Sequence, residues 1–436
     1  MRLKLFAFFI TALLTAIGAS AGNPDDLTCA ESAVPFPNSL IKFHVCQFAI
    51  NDTYGPAGFN MSYPVGFLVP TKAAKYPIVL RWDGYGNASN CPTWDFSNAN
   101  KIVVKNCNDY YPTAATHSVE GTSPWGFGGP FFGNSPAERY TTAARKVGQL
   151  WGDLVDWGAG LTLEGSSYGA STSLLQPLMF GLVDPEMQAQ ITKINAGQAP
   201  LGFLDDDGLY QRTNNIRVAW GDFDTSLADH EVQSDQLKFM YFFIQGSPSD
   251  RVVFFNQDWL QRVCDKYRIS CYSLWHDCGH ALPTPSCAAA LPYNNMFAAR
   301  NQDVRLDDPF IVAFTESTAN ISGPIGGYNI GLAWDSRTKT TTEYTAQVAI
   351  RYLRLTDIHP SIDDQPIEAS FKVTLRTRPS SLLTLDNGDI VEWSLNGHTG
   401  RSIVLLQGEI TLPVTLQSST DYSTLVVTKT GSVPGC

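Results

Sequence analysis

The chain has 436 residues, a net charge of −11 and only 16% charged residues beside 12% aromatic ones. This acidic balance argues against nucleic acid and anionic membrane surfaces as partners, and the length is sufficient for two domains. The nine cysteines form no matched Cys-x-x-Cys pairs, so we expect no zinc site, and we predict no cofactor.

Residues 1–21 have the pattern of a secretory signal peptide. A basic start, Met1-Arg2-Leu3-Lys4, precedes an apolar run from Leu5 to Ile17, and Ala19-Ser20-Ala21 supplies the small residues of a cleavage site. The apolar run is shorter than the ~20 residues of a membrane-spanning helix, and no later segment is long and apolar enough to span a bilayer. We therefore predict a secreted protein, extracellular or periplasmic, with disulfide bonds.

Residues 22–304 alternate strand-like and helix-like segments. Strands are predicted at 65–69, 77–82, 101–105, 159–163, 190–194, 239–244 and 269–275, and helices at 135–155, at 170–175 and at 256–267. This alternation predicts a mostly parallel sheet with helices on both faces. The acidic segment 200–238 interrupts the alternation and is interpreted either as a lid over the site or as a long connection.

After residue 304 the helical periodicity gives way to alternating apolar and polar residues. Short strands are predicted at 345–352, 369–375, 390–395, 402–406 and 423–427, separated by turns such as Asp386-Asn387-Gly388-Asp389. Several short strands with turn signals between them predict an all-β, sandwich-like accessory domain over residues 305–436.

Ser167 is the leading candidate for a catalytic residue. It lies in Gly165-Ser166-Ser167-Tyr168-Gly169, between the strand predicted at 159–163 and the helix predicted at 170–175. A strand, a tight Gly-x-Ser-x-Gly turn and a helix present a serine hydroxyl at a helix N-terminus, where free N–H groups face the substrate. The motif predicts acyl transfer through a serine nucleophile.

A serine nucleophile needs a histidine base and a carboxylate that orients the histidine, in the chain order Ser, acid, His. His280 is the preferred base because Gly279 lets its loop fold over the sheet, whereas His276 directly follows a strand and has less reach. Asp250 is the preferred acid because one helix and one strand separate it from His280. Asp224 is the alternative acid, and it would place an extra strand between the two residues.

Two backbone N–H groups are needed to stabilise the oxyanion of a tetrahedral intermediate. One is expected from Tyr168, which follows the nucleophile, and the other from Tyr85 in Asp83-Gly84-Tyr85-Gly86. The glycines on both sides of Tyr85 let the backbone approach a substrate closely.

The cysteines suggest four disulfide pairs and leave Cys436 unpaired. The pairs are Cys29–Cys46, Cys91–Cys107, Cys264–Cys271 and Cys278–Cys287. The last pair would fix the loop that carries His280, although spacing alone does not decide the connectivity.

These motifs, in this order, resemble the α/β-hydrolase superfamily over residues 65–283. Within it, the pattern is similar to secreted polyhydroxybutyrate-depolymerase-like esterases and to the catalytic domain of prolyl-oligopeptidase-type enzymes. The resemblance implies a Ser–Asp–His triad that works through an acyl-enzyme. The chain departs from the usual pattern in having Asp83-Gly84 for His-Gly, Gly169-Ala170 for a glycine pair, and one more residue between Gly246 and Asp250.

Three functions remain open at this point. The preferred one is hydrolysis of carboxylic esters, small or polymeric. The second is a serine peptidase of prolyl-oligopeptidase type, although the segment before Val65 is too short for the propeller that such enzymes usually carry. The third is an inactive, hydrolase-like binding or adhesion protein, suggested by Asp83 and by the β-rich region, which could bind a polymer or a cell surface.

Overall fold

The structure is a computed structural model of the chain. It describes residues 23–33, 36–48, 52–53, 60–61, 64–82, 99–106, 136–166, 170, 173–174, 176–177, 184–197, 237–247, 264–275, 279, 302–321, 326–335, 341–354 and 365–433. The chain forms two compact units. The first unit comprises Met1–Arg81, Tyr85–Asp156 and Leu175–Ile191, and the second comprises Trp82–Gly84, Trp157–Leu174 and Thr192–Cys436.

The first unit contains seven strands among its described residues. They are β1 (Leu27–Glu31), β2 (Ile41–Phe48), β3 (Asp52–Thr53), β4 (Asn60–Met61), β5 (Pro64–Pro70), β6 (Ile78–Trp82) and β7 (Ile102–Asn106). The order across the main sheet is β1-β2-β5-β7-β6, and β3 pairs with β4 separately. Only β6 and β7 are parallel, because β1, β2, β5 and β7 pair antiparallel with one another in turn. The expectation of a mostly parallel sheet is therefore wrong for this unit. The sequence patterns did not reveal β1 and β2, and they did not show that the predicted strands β5 and β7 run antiparallel.

One long helix, one short helix and two 3₁₀ turns are the helical elements with described bounds in the first unit. Helix α1 (Pro136–Trp151) confirms the helix predicted from residue 135, and α2 (Pro185–Ala189) is a short helix; 3₁₀ turns lie at Pro24–Asp26 and Gly152–Leu154. The buried apolar side chains of α1 recur at helical spacing and consist of Tyr140, Ala143, Ala144 and Val147, and the threonines between them, Thr141 and Thr142, are buried as well. Asp184 caps α2 by accepting a hydrogen bond from the N–H of Met187 and also accepts two from the guanidinium of Arg145 in α1, at 2.7 and 2.8 Å.

Side chains cover both faces of the first unit's sheet. Successive residues of a strand point to opposite faces. Leu68 belongs to one cluster, with Phe36, Ile41, Phe43, Val79 and Val103. Its neighbour Phe67 instead contacts Trp151, at the end of α1, with 5.5 Å between ring centroids. A disulfide joins Cys29 and Cys46, which are directly opposed on β1 and β2, and so confirms that predicted pair.

The second unit begins with parallel strands. Its strands β8 (Leu161–Ser166), β9 (Ile191–Gly197), β10 (Tyr241–Gly246) and β11 (Ser270–Trp275) lie next to one another in chain order. β10 pairs parallel with both β9 and β11. The beginnings of β8 and β9 lie together, since the hydroxyl of Thr192 donates to the carbonyl oxygens of Ala159 and Leu161. A 3₁₀ turn at Trp157–Ala159 precedes β8, and Cys264–Tyr267 are helical, as predicted for that segment.

The rest of the second unit is antiparallel β-structure. Its strands are β12 (Phe310–Ser317), β13 (Gly326–Tyr328), β14 (Leu332–Asp335), β15 (Thr345–Tyr352), β16 (Glu368–Thr377), β17 (Asp389–Leu395), β18 (His398–Ile403), β19 (Glu409–Gln417) and β20 (Ser423–Ser432). β13 pairs with β11, whereas the others form the sheets β12-β16-β19 and β14-β15-β20-β17-β18. The all-β character predicted after residue 304 is confirmed, and the boundary of a separate domain at that residue stays a prediction.

A single hydrophobic core joins the parallel strands β10 and β11 to these antiparallel sheets. Tyr272 of β11 contacts Phe314 of β12 with 6.1 Å between ring centroids, and Phe314 in turn contacts Phe371 of β16 at 5.7 Å. Tyr241 and Phe243 of β10 belong to the same buried cluster. The antiparallel sheets therefore cover one face of β10 and β11.

Buried hydrogen bonds reinforce this junction within the second unit. The guanidinium of Arg376 in β16 donates to the carbonyl oxygens of Lys238 and Arg268, which precede β10 and β11, and pairs with Glu409 of β19 at 2.7 Å. Arg376 and Glu409 are almost fully buried. The hydroxyl of Ser270 donates to the carbonyl oxygen of Val312 at 2.6 Å, which ties β11 to β12 directly.

Candidate functional site

Every residue predicted to take part in catalysis lies outside the described residues. These residues are Ser167, Tyr168, Asp250, His280 and Tyr85, together with the alternatives Asp224 and His276. The same holds for residues 1–21, for nearly all of the segment 200–238, and for the predicted pairs Cys91–Cys107 and Cys278–Cys287. The structure does, however, describe the strands that precede Ser167, Asp250, His280 and Tyr85 in the chain.

The predicted nucleophile follows directly on a described strand. β8 ends at Ser166, and the next described residue, Ala170, is helical, as are residues 173, 174, 176 and 177. The hydroxyl of Ser173 donates to the carbonyl oxygen of Ala170 at 2.8 Å, within that helical stretch. Residues 167–169 thus stand in the sequence between strand β8 and a helical residue. This is the context that the Gly-x-Ser-x-Gly motif requires.

The predicted acid and base follow neighbouring strands that end at the same edge. In the parallel register, Gln245 lies opposite Gly197, and Gly246 lies opposite Trp275. β9, β10 and β11 thus end side by side. Asp250 is four residues beyond the end of β10, and His280 is five residues beyond the end of β11. In open α/β sheets this carboxyl edge is where binding sites form.

Gly279 is a described residue of the loop that follows β11. Its φ of +62° lies in the left-handed region, and a Cβ on it would meet no atom within 4 Å. A side chain at this position would strain the backbone although there is space for it. The glycine before His280 therefore serves the conformation of the loop, as the sequence suggested.

The end of β11 is fixed by close packing against a glycine strand. The indole ring of Trp275 lies against Gly326 of β13, where a Cβ would overlap the ring. β13 pairs antiparallel with the last residues of β11. The strand that leads to His280 is thus held at its carboxyl end on two sides, by β10 and by β13.

In the first unit, β6 leads to the predicted oxyanion donor. It ends at Trp82, three residues before Tyr85, and it pairs parallel with β7. The hydroxyl of Tyr140 in α1 donates to the carbonyl oxygen of Arg81 at 3.0 Å and so ties the end of β6 to that helix.

The predicted Cys264–Cys271 disulfide is absent. Both residues are free thiols, both are buried, and they contact each other through a sulfur hydrogen bond. Burial raises the pKa of the Cys264 thiol well above its usual value, so it is neutral and suited to apolar surroundings. The sequence suggested that this pair would tie the last helix to β11, but both cysteines are reduced thiols, Cys264 in the helical turn before β11 and Cys271 within β11.

Among the described ranges, no group of three or more His, Cys, Asp or Glu side chains is placed to hold a metal ion. The described helices include none with the length and apolar character required to cross a membrane.

No family model matches the chain, and no curated protein matches it. Among solved structures, acetyl xylan esterase 1 from Thermoanaerobacterium sp. is similar over 59% of this chain and 86% of its own, with 15% identity and a TM-score of 0.36. Esterase B from Lactobacillus rhamnosis is similar over 67% and 90%, with 13% identity and a TM-score of 0.35. A dienelactone hydrolase from Klebsiella pneumoniae is similar over 58% and 88%, with 10% identity and a TM-score of 0.34. Likeness at this level carries no argument about family or substrate.

Proposed function

We propose that the protein is a secreted serine hydrolase of the α/β-hydrolase type that cleaves carboxylic esters. The observation that carries this proposal is the position of the three predicted catalytic residues relative to the strands. Ser167 follows β8, Asp250 follows β10 and His280 follows β11, in the chain order that a serine triad takes on this type of sheet. The parallel register supports a common edge for the acid and the base.

In the proposed reaction, the hydroxyl of Ser167 attacks the ester carbonyl while His280 accepts its proton. The alcohol leaves with that proton, and a water molecule, deprotonated by His280, then hydrolyses the acyl-enzyme and regenerates the serine. Asp250 holds the histidine in the required tautomer. The N–H groups of Tyr85 and Tyr168 stabilise the oxyanion of each tetrahedral intermediate.

Secretion is supported by the disulfide between Cys29 and Cys46 together with the signal-like residues 1–21, because structural disulfides persist in oxidising compartments. A comparison of aryl esters, a polyester film and peptide amides measures the substrate preference and separates an esterase from a peptidase.

The test of the nucleophile uses two adjacent serines. Ser167→Ala is expected to lower kcat for a short p-nitrophenyl ester by about 10⁴-fold or more, since the triad acts as a unit. Ser166→Ala is the matched control, because it removes the same hydroxyl one position earlier at the end of β8 and is expected to retain most of the activity. A folded Ser167→Ala variant with undiminished turnover would overturn the proposal.

The acid is identified by a second pair of variants. Asp250→Asn keeps the shape of the side chain but reverses the preferred tautomer of the histidine, which lowers kcat by about 10⁴-fold where the acid belongs to a triad. Asp224→Asn is expected to change kcat little. The reverse result would assign the acid to Asp224 and would leave the roles proposed for Ser167 and His280 unchanged.

A further inference from the structure

Strand β13 extends the sheet beyond β11, on the side opposite to β10. It pairs antiparallel with the last three residues of β11, which are Ser273, Leu274 and Trp275. Because β13 follows β12 in the chain, it belongs to the C-terminal β-structure although it lies in the same sheet as the parallel strands. The end of β11 that leads to His280 is therefore supported by a strand from the antiparallel region.

Two glycines let β13 approach β11 this closely. A Cβ on Gly326 would overlap the indole ring of Trp275 and would lie 2.6 Å from the carbonyl oxygen of Ile321. A Cβ on Gly327 would lie 2.7 Å from the carbonyl oxygen of Ser273. A backbone oxygen cannot turn away as the end of a flexible side chain can, so a larger residue at either position would push β13 away from β11.

Trp275 fills the space that Gly326 leaves open. The two residues are directly opposed on β11 and β13, and the half-buried indole lies against the glycine. An aromatic ring that covers a glycine across a strand pair stabilises the register of the two strands. Since Trp275 is the last residue of β11, this contact sets the place at which the loop to His280 begins.

Asn329 ties the segment after β13 to β11. Its φ of +58° lies in the left-handed region, which asparagine tolerates better than most residues. Its buried side chain donates from Nδ2 to the carbonyl oxygen of Cys271 at 2.9 Å, and its N–H donates to Oδ1 of Asn320 at 3.0 Å. Ile321 and Gly327 exchange both backbone hydrogen bonds, at 3.0 and 3.2 Å. These bonds hold β13 against β11 from both of its ends.

We propose that Trp275, held by Gly326, is a positioning residue for the base His280. This inference rests on the proposed function and identifies the part of the C-terminal β-structure that acts on the catalytic loop. His280 lies five residues beyond Trp275, so a shift at the start of this short loop moves the imidazole. A misplacement of about 1 Å in a catalytic group can lower the rate by about 10²-fold.

The pKa of His280 distinguishes positioning from a role in stability alone. A carboxylate beside a histidine favours the imidazolium and so raises the pKa of the histidine. A shift of His280 away from Asp250 therefore lowers the pKa of the base and also lowers kcat. A loss of stability alone reduces the amount of folded enzyme but leaves the pKa of the base in the folded fraction unchanged.

The test compares Gly326→Ala with Gly431→Ala in the full chain, with a short p-nitrophenyl ester as substrate. Gly326→Ala is expected to lower kcat by about 10- to 100-fold and to change KM less than about threefold. The acid limb of kcat/KM, which reports the base of the free enzyme, is expected to move to lower pH. Gly431→Ala is the matched control, because Gly431 lies in β20 and a Cβ on it would meet no atom within 4 Å. It is expected to keep the kinetic constants of the parent.

Two variants of Trp275 extend the test to a change that removes atoms instead of adding them. Trp275→Ala takes away the indole that lies against Gly326 and is expected to lower kcat and to move the acid limb in the same direction as Gly326→Ala. Trp275→Phe keeps an aromatic ring over the glycine and is expected to retain most of the parent's kcat. A folded Trp275→Ala variant with the kcat and acid limb of the parent would overturn the inference even if Gly326→Ala failed to fold.

An NMR titration of isotope-labelled histidine reads the position of His280 without turnover, with the His280 signal assigned by its loss in His280→Gln. A lowered pKa of His280 in Gly326→Ala and Trp275→Ala supports the inference. An unchanged pKa in both variants, or an equal change in Gly431→Ala, would overturn it. Failure of the proposed function has a different signature, which is a folded parent chain without turnover that depends on Ser167.

Discussion

The two units of the chain hold their strands in different ways. In the first unit, local links do much of this: a disulfide joins Cys29 to Cys46 across β1 and β2, and Arg145 of α1 pairs with Asp184 at the start of α2. In the second unit, β10 and β11 share one hydrophobic core with antiparallel sheets that come much later in the chain. The predicted acid and base loops thus follow strands whose packing depends on the C-terminal β-structure.

The difference gives the β-rich region a role beyond that of an appendage. A region that only bound a polymer or a surface would need few buried contacts with the parallel strands. Instead, Arg376 reaches the carbonyl oxygens that precede both β10 and β11, and Tyr272 packs between Tyr241 and Phe314. Changes in this region are therefore expected to affect the strands of the predicted triad before they affect the first unit.

The largest effect is expected from Arg376→Ala. It leaves Glu409 buried with Arg268 as its remaining partner and removes the hydrogen bonds to the carbonyl oxygens of Lys238 and Arg268. We therefore expect a loss of about 3–5 kcal/mol in the free energy of unfolding, measured by chemical denaturation. Lys372→Ala is the matched control on the same strand. Its pair with Glu316 is solvent-exposed and contributes less than about 1 kcal/mol. Equal losses in the two variants would contradict the claim that the buried contacts of Arg376 stabilise the packing of β10 and β11 against the antiparallel sheets.

Removal of the disulfide is expected to have a smaller and more local effect. Cys29→Ser with Cys46→Ser should cost about 3 kcal/mol, the amount typical of a closed loop of this size. Hydrogen exchange should rise in β1 and β2 and stay unchanged in β10 and β11. Exchange that rises equally in all four strands would show that the units do not differ in the way described.

Asp265→Asn is expected to have the smallest effect, and its sign depends on pH. The pKa of Asp265 is raised to about 6 in the folded chain, so the folded state favours the protonated carboxyl, and this contribution to stability is lost as the pH rises through 6. The variant should therefore melt at a higher temperature than the parent at about pH 7.5 and at a similar temperature at about pH 4. Because solvent screens this partly exposed group, the gain stays below about 1 kcal/mol. A loss of stability at the higher pH would show that the hydrogen bond from the N–H of Glu316 outweighs the cost of burying the carboxylate.

Sequence patterns predicted the parallel strands well because each is an apolar run bounded by turn residues. In the C-terminal region they predicted β15, β16, β17 and β20, whereas the strand predicted at 402–406 shares only residues 402 and 403 with β18 (His398–Ile403). β19 was missed because Pro413 interrupts it. The structure accommodates this proline because β19, among the described strands, pairs only with β16 and so lies at the edge of its sheet.

Other features depend on residues that are distant in the chain. Nothing local to Arg376 indicates that it reaches residues 238 and 268, which precede β10 and β11. The thiols of Cys264 and Cys271 also show that closeness in sequence does not determine bonding. The predicted triad rests on strand order and motif spacing, which sequence does reveal, and its geometry stays a prediction.

The central claim is that Ser167 is an activated nucleophile, and covalent labelling tests it most directly. A fluorophosphonate transfers its phosphonyl group to an activated serine with loss of fluoride, and mass spectrometry of peptides locates the adduct. We expect a single adduct on Ser167 that is retained in Ser166→Ala and absent in Ser167→Ala. A folded, unmodified chain after exposure to the probe, or an adduct that persists in Ser167→Ala, would contradict the claim.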